Sequence, residues 1–389
     1  MGKQGSEKEK LEIQLKMLTP FWTGGVRGIT DSLREAGVAG SLRWWDEAIV
    51  RGLGGTPCDP YRHAHELSGK SLQHYKEALR RGINWWQALD AAGLCDTCKI
   101  FGTTGWKRQF QFKIREETRL LWEPPPDTLN VRPPDRTRGW FVPPGMIGRA
   151  VLQFSGENEV LGRLASLFLF VEKWGALGAK PQLGYGVFQV ENREEVKSRA
   201  AKWIPKDSIL PGGKETYPDL RRFGFFRFRF QPERPNWWSR LPALERLLGR
   251  TDTARALKKA AEEGMVPVLP VLKNEWRFNR WKGPLGVERW LFGTSLGKES
   301  RVRSKIGASW AYRSGDEWEV RGWVWFPERD KEKRPIPEEY QQRIWNAVRD
   351  KDLWCTALKI PEGELRTWPD VELWREWRPD EVLSFLEGR

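Results

Sequence analysis

Six of the seven cysteine and histidine residues fall in one window of the chain: Cys58, His63, His65, His74, Cys95 and Cys98. Cys95-Asp-Thr-Cys98 is a C-x-x-C step with zinc-knuckle spacing, and zinc takes four thiolate or imidazole ligands in a tetrahedron. Cys58, Cys95, Cys98 and one histidine would complete that set. His65 is preferred to His63 because it leaves more chain after Asp59-Pro60, which must turn first. The plainer alternative is a pair of small buried thiols with surface histidines. A second stretch, residues 19–53, carries anion chemistry. Gly24, Gly25 and Gly28 allow close backbone approach, and Arg27, Arg34 and Arg43 place cations beside it. Gly40-Ser41 stands where a helix would start, with Ser41 as N-cap, and free N–H groups there suit phosphate. Neither the Walker nor the dinucleotide pattern is present. All three histidines lie in the Cys-flanked insertion.

Composition narrows the partner. Lys and Arg number 66 against 52 Asp and Glu, a formal charge of +14, and the pI is near 9.6. A polyanion is the expected partner, nucleic acid first and an anionic membrane surface second. No apolar run approaches the ~20 residues of a membrane span. The polar N-terminus lacks a signal-like apolar core, so cytoplasmic residence is the default expectation. Trp106, Lys107 and Arg108 interleave base-stacking and phosphate-binding side chains. The alternative there is a solvated hairpin. A second glycine-rich loop, residues 175–186, carries Lys180.

These features need elements to hold them. Leu11, Ile13, Leu15 and Met17 alternate with polar residues as a half-buried strand does. Residues 41–53 read as an amphipathic helix, with Arg43, Glu47 and Arg51 on its polar face. Residues 56–98 form the Cys/His insertion, with helical segments near 71–81 and 85–92. Residues 123–145 are rich in Pro and Arg and predict an extended arm or long hairpin projecting from the body. Residues 160–174 are a core helix, and 191–219 read as a linker. Alternating Phe and Arg over 222–230 open a new strand. Helices are expected near 241–248, 253–263, 336–349 and 379–386, with a strand at 353–359 closing a second sheet. Phe101-Gly-Thr-Thr and Phe292-Gly-Thr-Ser, each followed by a basic strand, mark an internal repeat. The chain is therefore expected to be two copies of one strand–helix–hairpin unit, residues 11–195 and 220–389.

TPFWTGG, LREAGVAGSLRWWDEAIVRGLGG, CDP, the C-x-x-C followed by IFGTTGW, and GAKPQLGYG resemble the RAMP (repeat-associated mysterious protein) superfamily of CRISPR–Cas systems. Within it the chain is most similar to the first-numbered RAMP subunit of the type III-B Cmr effector complex. The resemblance covers most of residues 11–190 and is weaker over 220–330. It implies an α+β fold of two ferredoxin-like (RRM-type) domains. It also implies a non-catalytic subunit in antiviral defence that binds the 3′ region of the guide RNA (crRNA) and the paired target RNA, beside other RAMP subunits. The RNA-binding residues expected on this reading are Gly24, Gly25, Arg27, Arg34, Ser41, Arg43, Trp44, Trp106, Lys107, Arg108, Gly178, Lys180, Gln182, Arg301 and Arg303, with structural Zn2+ on Cys58, His65, Cys95 and Cys98. The alternatives are an endoribonuclease using Asp31, as related backbone subunits use a loop aspartate, or a zinc-stabilised protein scaffold.

Overall fold

The computed structural model describes residues 9–25, 29–58, 65–200, 217–294, 302–327, 329, 334–365 and 370–373. Strand β1 (Glu9–Met17) buries its alternate apolar residues, and helix α1 (Glu35–Gly52) follows the first loop. The insertion holds α2 (Gly69–Arg80), α3 (Trp85–Ala91) and α4 (Asp96–Phe101). Strand β2 (Phe110–Leu120), a ribbon of β3 (Leu129–Val131) and β4 (Trp140–Val142), and β5 (Met146–Gly156) come next. Helix α5 (Asn158–Trp174), β6 (Phe188–Val190) and α6 (Arg193–Arg199) end the first half. The second half opens with β7 (Phe223–Phe230), α7 (Pro242–Leu248), α8 (Thr251–Glu262) and β8 (Met265–Val266). Helix α9 (Leu269–Asn274) runs into a π-helical turn, Glu275–Arg280, followed by α10 (Leu285–Phe292). Then come β9 (Ile306–Ala308), β10 (Ala311–Ser314), β11 (Glu317–Trp325), α11 (Glu338–Arg349), α12 (Lys351–Leu358) and β12 (Asp370–Leu373).

The chain is α+β with antiparallel sheets. The first sheet has the order β2-β5-β1-β6; the second runs β12-β7-β11-β10-β8, with β9 also paired to β11. In both, the half's first strand lies between its last strand and the long strand before the final helices. The repeat is visible in the turns too. Gly102 and Gly293 each end a helix at φ near +85° (85° and 84°), where a side chain would be strained. The carbonyl of each accepts a guanidinium N–H: Arg43 at Gly102 (2.8 Å) and Arg277 at Gly293 (3.0 Å).

Helices α1 and α5 are covered on two sides. Leu11, Ile13, Phe112 and Phe154 of the first sheet and Phe223, Phe225 and Trp323 of the second share one buried cluster with Trp45 and Phe170. The order of layers is therefore first sheet, α1 with α5, second sheet, and then the helices of the second half. Arg321 seals the seam: its guanidinium donates to the carbonyl of Glu172, in the last turn of α5 where a cation is favoured, and to that of Phe188 in β6.

Several sequence expectations change. Helix α1 begins at Glu35, not at Gly40-Ser41, because partners remote in sequence cap it. The Leu33 amide donates to Glu116 Oε2 (3.0 Å) and the Arg34 amide to Thr23 Oγ1 (3.0 Å). Residues 353–359 do not close the second sheet. They lie in α12, which buries Leu353, Trp354, Ala357 and Leu358 at helical spacing, and the sheet is closed by β12. The Pro/Arg-rich arm is a hairpin but does not project. Leu129, Val131 and Val142 are buried in the core of the second half, with Trp122, Leu244 and Leu257. The expected helix at 379–386 lies outside the described residues, as does 201–216 of the linker; α6 occupies the linker's start.

Candidate metal centre and nucleic-acid surface

Cys58, His65, Cys95 and Cys98 converge, with one potential ligand atom from each lying within 4.8 Å of all the others. Cys58 and Cys98 are buried, with their sulfurs 3.2 Å apart. Cys95 is the N-cap residue of α4, so the C-x-x-C step spans the first turn of that helix. The Cys95 amide donates to His65 Nδ1 (3.2 Å), which fixes the imidazole. Hydrogen bonds with Cys95 and Cys98 hold the Cys58 thiol far below its usual range, and the Cys58 and Cys95 sulfurs favour a proton on His65 that a bound dication would displace. The donor set fits a tetrahedral cation, for which the Cys58 and Cys98 sulfurs, now 3.2 Å apart, would open to ~3.8 Å around bonds of ~2.3 Å. His63 lies outside the described residues.

Arg43 belongs to this centre and not to an open RNA surface. Its guanidinium donates to Glu47 Oε1 (2.9 Å), to the Gly102 carbonyl and to Cys98 Sγ (3.3 Å). The Arg43–Glu47–Arg51 row, expected on a solvated helix face, is instead roofed by the insertion. Arg51 reaches the carbonyls of Pro57 and Cys58 (3.4 and 3.3 Å). Burial raises Glu47 to about 7 against the opposing pull of Arg43 and Arg51. Three thiolates, a neutral imidazole and a dication would sum to one negative charge, and Arg43 supplies the balancing positive one. On the same helix, Asp46 is fully buried and takes a two-pronged contact from Arg163 of α5 (2.9 and 2.8 Å) and the Thr97 hydroxyl (2.6 Å).

Other aromatic and polar candidates are also committed internally. Trp106 stacks on Trp85 and donates to the Lys99 carbonyl (2.9 Å), inside the insertion's small core of Leu67, Leu89 and Leu94. Trp44 packs edge-on against Trp45 and Phe223. Ser41, in mid-helix, donates to the Ala176 carbonyl (3.3 Å). Lys107 remains exposed, while Arg108 approaches Glu35 at 3.7 Å and lies over Phe110. The first sheet shows no stacking platform. Phe110, Phe112 and Phe154 face the core, and Lys10, Gln111, Lys113, Arg115 and Gln153 are exposed on those strands.

The two glycine loops do meet. The Ala179 amide donates to the Trp22 carbonyl (2.6 Å), and a Cβ at Gly178 would stand 2.7 Å from that oxygen. Lys180 adopts a left-handed conformation (φ 61°) and sets its ammonium 3.5 Å from the centre of the Trp22 ring. Burial lowers its pKa. Gly24 (φ 67°) and Gly25 continue this surface, and the Gly25 amide closes the loop on the Ile29 carbonyl (2.7 Å). Arg34 pairs with Asp31 (2.7 Å) at the exposed loop end, which holds the Asp31 carboxyl below its usual range. From the second half, Lys273 joins in: it donates to the Gln182 carbonyl (3.0 Å) and to Ser304 Oγ (3.1 Å), beside exposed Arg303. Trp310 Nε1 pins the Leu183 carbonyl (2.9 Å). The structure thus brings together Gly24, Gly25, Gly178, Lys180 and Gln182, and Lys273 ties the segment carrying Arg303 to the same loop, while Arg27 and Arg301 lie outside the described residues. Trp22 and Lys273 escaped the sequence reading. The TPFWTGG aromatic was a usable signal for the first; nothing local marks the second.

Lys273 yields a pH prediction. Burial, with Arg277 adding to it, lowers its pKa from 10.5 to about 7, so between these values the folded chain binds fewer protons than the unfolded one. This group's contribution to stability therefore rises with pH from 7 to 10. Urea unfolding midpoints measured at pH 7 and pH 9.5 should converge in Lys273→Met relative to wild type. An unaltered pH response in the variant would refute the shift.

Comparison with known proteins finds a family match in the first half of the chain. The model of the RAMP superfamily matches residues 14–189, which contain both glycine loops and the metal cluster. No curated protein matches. Among solved structures, the chain is similar to "Crystal structure of Cmr1 from Pyrococcus furiosus (apo form)", at 14% identity and TM-score 0.39, over 97% of this chain and 96% of that one. It is also similar to "Cryo-EM structure of the Type III-B Cmr-beta bound to cognate target RNA and AMPPnP, state 2, in the presence of ssDNA", at 10% identity and TM-score 0.38, over 90% of this chain and 100% of that chain. Over residues 14–189, a little under half of its length, the chain is thus similar to the RAMP superfamily.

Proposed function

We propose that this chain is a non-catalytic RNA-binding subunit of a type III-B CRISPR (Cmr) ribonucleoprotein. It would hold the 3′ region of the guide RNA and the paired target beside other RAMP subunits in the cytoplasm. The observation that carries the reading is the junction of the two glycine loops at Ala179 and Trp22, with Lys180 stacked above it and Lys273 tying the segment that carries Arg303 to the second loop. Exposed backbone and paired cations track a phosphate chain without reading bases. The common strand order of the two sheets supports two ferredoxin-like units, residues 11–195 and 220–389. The cluster of Cys58, His65, Cys95 and Cys98 supports structural Zn2+, the usual tenant of three thiolates and an imidazole. Cleavage through Asp31 is disfavoured, because its carboxylate is exposed and tied to Arg34 with no second acid or imidazole among its described partners. Among the described residues no helix is long and apolar enough to cross a membrane.

The test is single-strand RNA binding as a function of salt. The double variant Lys180→Ala/Arg303→Ala should weaken affinity about 10-fold near 0.15 M salt. It should also flatten the logarithmic salt slope by ~1.4, since each lost phosphate contact removes ~0.7. Unchanged affinity and slope would reject this surface.

A further inference from the structure

The hairpin of β3 and β4 presents a second face that the RNA surface above does not use. Its period-two alternation buries Leu129, Val131 and Val142 and leaves Asn130 and Phe141, a directly opposed pair, outside. Phe141 is 62% exposed, higher than any other large hydrophobic side chain among the described residues. Arg132 and Arg138, in the connecting loop, are exposed as well. The remaining arginine of that loop, Arg136, works as an anchor: its guanidinium lies 3.3 Å from the centre of the Phe278 ring and donates to Asn274 Oδ1 (2.9 Å). Asp135 is held against Arg136 at 3.3 Å.

The anchoring places the hairpin beside the glycine loops. Asn274, which receives Arg136, follows directly on Lys273, which holds Gln182 and Ser304. Two consecutive residues at the end of α9 therefore clamp the hairpin's loop, the second glycine loop and the segment carrying Arg303. An exposed ring on a hairpin whose loop carries two exposed arginines is a combination that stacks a base while neutralising neighbouring phosphates. The core side of the hairpin is fully used, so the ring is not waiting for an internal partner.

We infer that the outer face of this hairpin, Phe141 with Arg132 and Arg138, is a base-stacking site for single-stranded RNA that extends the glycine-loop surface. The inference rests on the RNA-binding reading above. Phe141 supplies sequence-tolerant stacking on one unpaired base, and the arginines supply phosphate contacts.

The experiment titrates the full chain into a single-stranded RNA oligonucleotide containing 2-aminopurine, whose fluorescence reports stacking. Phe141→Ala should weaken binding roughly 5- to 100-fold and remove the binding-induced fluorescence change, while leaving the salt slope as in wild type, because stacking releases no counterions. Phe141→Trp should preserve both affinity and signal. Arg132→Ala/Arg138→Ala should flatten the slope by ~1.4. Wild-type affinity and signal in Phe141→Ala, with Lys180→Ala/Arg303→Ala still impaired, would overturn the stacking site, leaving the hairpin as a protein contact while the glycine-loop surface stands. Failure of Lys180→Ala/Arg303→Ala with impairment in Phe141→Ala would instead overturn the glycine-loop assignment.

Discussion

Arg163→Met is expected to cost about 3–5 kcal/mol of stability, the range for breaking a buried ion pair from one side. Asp46 is wholly buried, and removing Arg163 leaves its carboxylate with only the Thr97 hydroxyl at 2.6 Å among the bonds described above. The pair joins α1 to α5, the two helices held between the sheets, and Thr97 adds the insertion to the same point. The loss should thus appear in cooperative unfolding of the first half rather than in local fraying. Urea denaturation followed by tryptophan fluorescence measures it. Asp46→Leu/Arg163→Met should recover much of the loss, since replacing both partners removes the stranded charge. Arg34→Ala, which breaks the exposed pair with Asp31, should leave the midpoint unmoved. A single variant at Arg163 as stable as wild type would mean that the buried carboxylate has another partner.

Metal removal is the second large effect. The insertion's own apolar cluster is small: Leu67, Leu89 and Leu94, with Leu72, Tyr75, Trp85, Ala92 and Trp106 packed around it. So few side chains cannot offset the entropy of ordering α2 to α4, and a metal held by the four-residue cluster would supply what is missing. Elemental analysis should give one zinc per chain. Cys98→Ser, or treatment with a strong chelator, should abolish hydrogen-exchange protection in α2 and α3 while protection in β1 and β5 persists. Structural zinc in small peptides contributes on the order of 10 kcal/mol to folding, so the contrast should be plain. A chain purified without metal and with α2 and α3 still protected would remove the metal from this picture.

Much of the layout could be read directly. The alternation at 11–17 marks β1, the apolar run at 160–174 marks α5, and the paired Phe-Gly turns mark the repeat, because each is a short-range pattern with one physical solution. The four metal-site residues were legible for a different reason: a C-x-x-C step and nearby Cys and His are rare enough to be informative in isolation. The start of α1 was misread because its caps, Thr23 and Glu116, come from other elements. The strand expected at 353–359 failed because Leu353, Trp354, Ala357 and Leu358 suit a helix once a second sheet is there to cover them. Nothing in residues 175–186 themselves says that Gly178 and Gly184 make room for Trp22 and Trp310, because those partners are remote in sequence.

Residue types and spacing alone determined the kind of chemistry here: a basic chain with two glycine loops and a four-residue metal set. Which cations remain available was decided only in three dimensions. Arg43, Trp44 and Trp106 looked as accessible as Lys180 and Arg303, and nothing in their local sequence says that the insertion folds over α1 and consumes the Arg43 guanidinium. A cation's freedom depends on which acceptors the fold brings within hydrogen-bond distance, and here those acceptors lie up to 59 residues away. The docking of the hairpin beside α9 has the same origin. Buried apolar surface draws it onto the second half, and the side chains left outside, Phe141 among them, are the remainder of that packing.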